Sequence, residues 1–166
     1  MQTQINHTQS EGESQERAQI LAALTRWINQ RPGLEPMNYG GGRDGWRAYR
    51  QESRDITRDL HQARQLLAAV SWRTSIDAAA LKDALRHSYS GRLTWNGESL
   101  DYCTGQYWPT EFRRAACAVL ASALWAYWRA NLEDGPPPKD GKSDGDRLRE
   151  TARRELGRTL ANRWFR

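Results

Sequence analysis

At 166 residues, with 38 % hydrophobic residues, a mean hydropathy of -0.90 and a formal charge of +5, the chain is long enough for one core and too short for two ordinary ones. Eight Trp, six Tyr and two Phe supply apolar surface that the low hydropathy conceals, so the core is expected to be rich in aromatic residues. No run approaches the roughly 18 to 20 apolar residues of a bilayer span, and MQTQINHTQSEGESQE has neither a basic n-region nor an apolar h-region, so a cytoplasmic protein without a membrane role is expected.

Residues 1–13 are polar and aperiodic and predict a flexible tail. Ser14 then opens a helix to about Arg31, with Ile20, Leu24, Trp27 and Ile28 on one side, and Pro32 and Gly33 end it. LEPMNYGGGRDG reads as a loop, with Asp44 as the N-cap of the next helix. From about Asp44 to Ser71 the residues Trp46, Tyr49, Ser53, Ile56, Leu60, Ala63, Leu67 and Val70 recur at alternating spacings of 3 and 4. Such a seam needs a partner along its length, which a coiled-coil dimer or an intramolecular bundle can supply. The opposite face mixes Arg50, Glu52, Arg54, Asp55, Arg58, Asp59 and Arg64 and reads as solvated.

A third helix, about Ser75 to Tyr89, carries a weaker stripe of Ile76, Ala80, Leu81, Ala84 and Leu85 and stops at Gly91. The period then becomes alternating, and Asn96-Gly97 between two short runs predicts a β-hairpin over 92–102 closed by a type I′ turn. Its Leu93, Trp95, Leu100 and Tyr102 should lean on the helices, because an isolated ribbon is marginal. From Thr110 to Asn131 runs the most apolar helix, expected at the centre of the core. Residues 133–145, rich in Pro and Gly, read as a linker. Beyond them, from Asp146 to about Phe165, Leu148, Ala152, Leu156, Leu160 and Trp164 form a narrow stripe among arginines, a basic amphipathic helix on a tether. The whole reads as mainly α, a small bundle of about five helices with one short β-hairpin.

Between hairpin and central helix lies YCTGQYWPTEFRRA, Tyr102–Ala115, where Gly105 permits a turn, Pro109 extends the residue before it, and Thr110 can cap a helix whose first turn carries Glu111. Held at a helix entrance, Tyr102, Gln106, Tyr107, Trp108, Glu111 and Arg113 form a candidate partner-binding patch, with aromatic anchors and a forked donor. The alternative folds Tyr107 and Trp108 inward as the lid of the hairpin and pairs Glu111 with Arg114.

Basic residues are Arg rather than Lys by 22 to 3. The guanidinium fork suits phosphates and clustered carboxylates, whereas a GC-rich genome yields the same bias with no functional cause. In the last helix Arg147, Arg149, Arg153, Arg154, Arg158 and Arg163 are candidate nucleic-acid contacts, with salt-sensitive affinity expected. Binding to an acidic protein and folding back on the bundle are the competing uses of that helix.

For catalysis the chain offers little. His7, His61 and His87 lack HxxxH or HExxH spacing, Cys103 and Cys117 lack CxxC spacing, and both thiols are expected to be reduced. An enzyme would need Cys103, His61 and an acidic group to converge. Gly40–Gly42 lacks the Lys-Ser/Thr of a phosphate loop, and Glu52, Asp55, Asp59 and Glu111 are flanked by arginines that favour ion pairs over a metal. No catalytic residue, metal or cofactor is expected.

NYG at Asn38–Gly40, YRQESRDITRDL at Tyr49–Leu60, SGRL at Ser90–Leu93 and YCTGQYWPTEFRRA together resemble small proteins carried by phages and prophages of proteobacteria, over about Pro36 to Trp128. The resemblance brings no activity and no catalytic residues. It implies a bacterial host cell, where small non-enzymatic proteins occupy a host machine. The expectation is a monomer or homodimer that binds stoichiometrically to a host or phage protein complex, nucleoprotein included. Inhibition of a host defence, as by an anti-CRISPR, is its sharpest form. DNA or RNA binding through the Arg-rich last helix is the alternative.

Overall fold

The computed structural model describes residues 2–30, 34–87, 93–102, 109–132 and 139–166. Among them six α-helices and one two-stranded antiparallel hairpin form the mainly α bundle that the periodicity predicts. Helix α4 (Pro109–Ala130) is its axis, touching α1 (Gln2–Asn29), α2 (Gly42–Trp72), α3 (Ala78–His87) and α5 (Asp144–Leu156). Phe112, Val119, Leu120 and Leu124 are fully or almost fully buried in it, each worth about 1.5–3 kcal/mol of apolar transfer.

Helix α1 begins at Gln2, so residues 2–13 continue the helix that the periodicity places from Ser14 onward. A missing apolar stripe speaks against burial, not against helix, and extending a nucleated helix adds one hydrogen bond for each residue ordered. Ile20, Leu24 and Ile28 enter the core as the stripe predicts.

Helix α2 starts at Gly42 with Gly41 as N-cap, which leaves Asp44 in the first turn, where a carboxylate favours the helix dipole. Its C-terminal half buries Ile56, Ala63, Leu66, Ala69 and Val70 against the bundle. The buried line runs through Leu66 and Asp59, one position before the predicted Leu67 and Leu60, which are half-buried. The N-terminal half stays outside, with Trp46 52 % exposed. Arg17, from α1, closes the far end of α2. Its guanidinium donates to the carbonyls of Ile76 (2.7 Å), Val70 and Ser71 (both 3.2 Å) and Arg73 (3.4 Å), at and just beyond the helix terminus.

Strands β1 (Leu93–Trp95) and β2 (Leu100–Tyr102) pair Leu93 with Tyr102 and Trp95 with Leu100. Leu93 and Leu100 are buried and Trp95 and Tyr102 half-buried, as the alternation requires. The turn differs from the type I′ expectation. Four residues, Asn96–Ser99, lie between the strands, and Asn96 Oδ1 accepts from the backbone N–H of Glu98 and of Ser99, both at 2.9 Å. The Asn96 backbone N–H still donates to the Ser99 carbonyl at 3.2 Å, while its side-chain oxygen takes the place of its own carbonyl as acceptor, as asparagine often does.

Glu16 ties α1 to α3 and the hairpin, accepting from Lys82 Nζ at 3.0 Å and Trp95 Nε1 at 3.3 Å. The Lys82 hydrogen bond, foremost, holds its carboxyl below the usual glutamate value. A depressed acid stabilises the fold above its unfolded pKa of about 4.3, and that contribution fades as pH falls through the folded value. Urea titrations should find Glu16→Gln less stable than the parent at pH 7, with the gap closing below about pH 4; a gap of constant size would refute the linkage.

The C-terminal segment is not one tethered helix. Ser143 and Asp146 form a capping box that starts α5, and Gly157, at φ +85°, separates it from α6 (Arg158–Trp164). Leu148, Ala152, Leu160, Ala161 and Phe165 join the core, Phe165 lies 5.0 Å from Trp128 between ring centroids, and Trp128 Nε1 donates to Glu155 at 2.9 Å. Arg73 also pairs with Glu155. Residues 133–138 of the predicted linker lie outside the described residues.

Candidate functional site

Of the six residues expected in the aromatic patch, Gln106, Tyr107 and Trp108 lie outside the described residues, as does Cys103. The other three serve the fold. Tyr102 meets Phe112 edge-on at 5.2 Å and donates its hydroxyl to Glu111 Oε2 at 3.4 Å. Phe112 stacks in turn on Trp27. Arg113 was expected to reach a partner, but it is 1 % exposed. Its Nε donates to the Ile28 carbonyl at 3.0 Å and its terminal nitrogen to that of Gln30, so it closes the end of α1 as Arg17 closes α2. Arg114 lies 4.0 Å from Asp59, and it is Tyr102, not Arg114, that engages Glu111.

The arginines of the last helices are largely engaged within the chain. Arg147 pairs with Asp140 and Arg149 with Asp146, both at 3.2 Å, and Arg153 donates to Asn162 at 3.3 Å. Arg163 reaches into the bundle, donating to Asp59 at 2.8 Å and Gln62 at 2.6 Å. Asp59, expected on a solvated face, is 3 % exposed. Arg154 and Arg158 alone of the six are without a partner among the described residues, and two exposed arginines on separate helices make a thin surface for a polyanion.

Among the described residues, the largest set of guanidinium groups without a carboxylate partner lies elsewhere. Arg43, Arg47, Arg50 and Arg54, all exposed, follow one another at spacings of 4, 3 and 4 along the outer half of α2. At about 100° per residue they share a sector of roughly 60°, opposite the buried Gly45 and Ile56. None has a carboxylate partner among the described residues, whereas Arg58, one turn on, is held by Asp55 at 3.0 Å. With Trp46 and Gln51 these arginines line an open hollow of about 540 Å³. The spacing was visible in GRDGWRAYRQESRD. Pooling Arg50 and Arg54 with neighbouring acids, without Arg43 and Arg47, hides the line they make.

The base of this ridge is built by aromatic packing. A 3-10 turn at Pro36–Tyr39 lies against α2, Tyr39 meets Tyr49 at 5.7 Å, and Tyr49 meets Trp46 at 5.9 Å, both edge-on. Burial and the facing Glu52 carboxylate push the Tyr39 hydroxyl up to about 12. The turn approaches α2 at Gly45, where a Cβ would fall on the Gly40 carbonyl oxygen and lie 2.8 Å from that of Tyr39. Gly45→Ala should therefore expel the turn, with a loss of about 1–3 kcal/mol in urea titration and a changed near-ultraviolet tyrosine signal. An unchanged signal would refute the close approach.

Burial pushes the Cys117 thiol up to about 12, with the Asp59 charge adding to it, so no thiolate forms at neutral pH. His61 is exposed on α2, and His87 is exposed near Asp83. Among the described residues no three His, Cys, Asp or Glu side chains are placed to hold one metal ion, and no helix is long and apolar enough to cross a membrane. No protein-family model matches the chain, and neither the curated proteins nor the solved structures compared with it provide a match.

Proposed function

We propose that this chain is a non-enzymatic accessory protein of the phage or mobile-element type that binds stoichiometrically to a nucleoprotein complex, contacting its nucleic acid through the ridge on α2. The observation that carries the reading is the line of four exposed guanidinium groups, Arg43, Arg47, Arg50 and Arg54, without carboxylate partners among the described residues and beside a half-exposed tryptophan. Unpaired arginines in a row repel one another and gain most from a partner that brings a row of negative charge. The phage-type setting rests on the short segments quoted above, and within it inhibition of a nucleic-acid-handling defence complex is the most specific form of the reading.

Affinity capture from a bacterial lysate, with and without nuclease, tests it. The parent chain should retain a defined protein complex together with nucleic acid, and Arg43→Ala/Arg47→Ala/Arg50→Ala/Arg54→Ala should lose both while melting normally. Equal recovery by parent and variant would overturn the ridge as the binding face. Deletion of residues 144–166 is the wrong control, because α5 and α6 complete the core.

A further inference from the structure

The geometry points to single-stranded nucleic acid as the ligand of the α2 ridge, with Arg43, Arg47, Arg50 and Arg54 along one phosphate backbone and Trp46 as the platform on which a base stacks. The inference rests on the nucleoprotein reading above and narrows it.

Three features of α2 select one strand over two. The ridge is narrow: its four arginines occupy about 60° of the helix circumference and extend along about 16 Å of it, a single rail of charge. A helix lying in a duplex groove faces phosphates on both walls, and here the flanks of the ridge are unlike. On one side, about 90° round from the ridge centre, stands Asp44, a carboxylate that would meet the second wall, and beyond it Asp55, already paired with Arg58 at 3.0 Å. On the other side stand Trp46, Ser53 and Thr57, none charged. One strand can follow the arginines with its bases turned to the uncharged side, away from the acids.

Trp46 is the second feature. It is among the few exposed large apolar side chains, and it adjoins the ridge rather than standing apart from it. A tryptophan beside a basic track is how sequence-independent single-strand binders hold bases, since every base offers a π-face. The third feature is its support. Tyr49 meets the indole edge-on at an interplanar angle of 90°, and Tyr39 backs Tyr49 at 71°, so the ring is braced before any ligand arrives.

Fluorescence anisotropy with labelled dT20 and a 20-base-pair duplex, at 50 to 200 mM salt, reads this out with the full chain. We expect dT20 to bind at least about tenfold tighter than the duplex. Four phosphate contacts on a single strand correspond to a logarithmic salt slope of about -2.8, and Arg47→Ala/Arg50→Ala should reduce it by about 1.4. Trp46→Ala should weaken dT20 about tenfold, whereas Trp46→Phe, which keeps a stacking face, should retain most of the affinity. Thermal melting of each variant separates lost binding from lost fold. Duplex binding as tight as dT20 binding would overturn the single-strand assignment and leave the nucleoprotein reading standing. Indifference to Trp46→Ala would overturn the stacking role. If neither oligonucleotide binds at 50 mM salt, the inference and the nucleic-acid contact beneath it both fail.

Discussion

Replacing Arg113 by alanine should lower stability by about 4 kcal/mol, a melting-temperature fall of roughly 8–16 °C for a chain of this size. The guanidinium is buried between α4 and the end of α1, and it donates to two carbonyls, of Ile28 and Gln30, at a terminus where no backbone N–H continues the helix. Truncation orphans the buried Ile28 carbonyl, at about 1–3 kcal/mol, and empties the space that the side chain filled. Arg113→Lys tests the geometry apart from the charge. An ammonium cannot span two acceptors as a fork does, so lysine should recover less than half of the loss. Melting of Arg113→Ala within a degree or two of the parent, by calorimetry, would return Arg113 to the surface role that its place in the aromatic segment suggests.

The second large effect concerns Arg163, which clips α6 onto α2. Arg163→Met should cost about 3 kcal/mol, because it strands the Asp59 carboxylate at 3 % exposure. Arg58 at 3.7 Å and Arg114 at 4.0 Å remain as distant compensation. The opposite change, Asp59→Leu, should cost only about 1 kcal/mol, because the Arg163 side chain is 25 % exposed and can turn to water. Asp59→Leu/Arg163→Met should then be more stable than Arg163→Met alone, with a coupling of about 2 kcal/mol in urea unfolding at pH 7. Strict additivity would mean that the two side chains are neighbours without being partners.

These predictions also mark where the amino-acid sequence is legible. Periodicity reports burial, so the amphipathic helices α2 and α4 and the alternating hairpin could be read from it. It is silent where burial is not at stake, as along the exposed residues 11–15 of α1. It also overran a local signal: Gly157 adopts positive φ and breaks the last helix, although the stripe from Leu148 to Trp164 continues through it. Contacts between distant parts of the chain leave no trace in spacing. Arg17 meets Ile76 and Arg113 meets Ile28, separations of 59 and 85 residues. The excess of arginine over lysine thus has a third origin beside ligand binding and codon usage. Arg17, Arg113 and Arg163 are spent on the architecture, where one planar head can satisfy several acceptors at once. The ridge on α2 was legible in principle, since its spacing is purely local.

That ridge is the free end of a beam. From Ile56 onward α2 is clamped in the bundle, and before that residue it runs on as unbroken helix, supported among the described residues by the turn at Pro36–Tyr39. A cantilever of this kind inherits its order from the clamped half: the helix there is propagated, not nucleated, so the arginines stand in register before any partner arrives. A ligand laid along them therefore meets a stiff comb and loses little affinity to ordering the backbone beneath it.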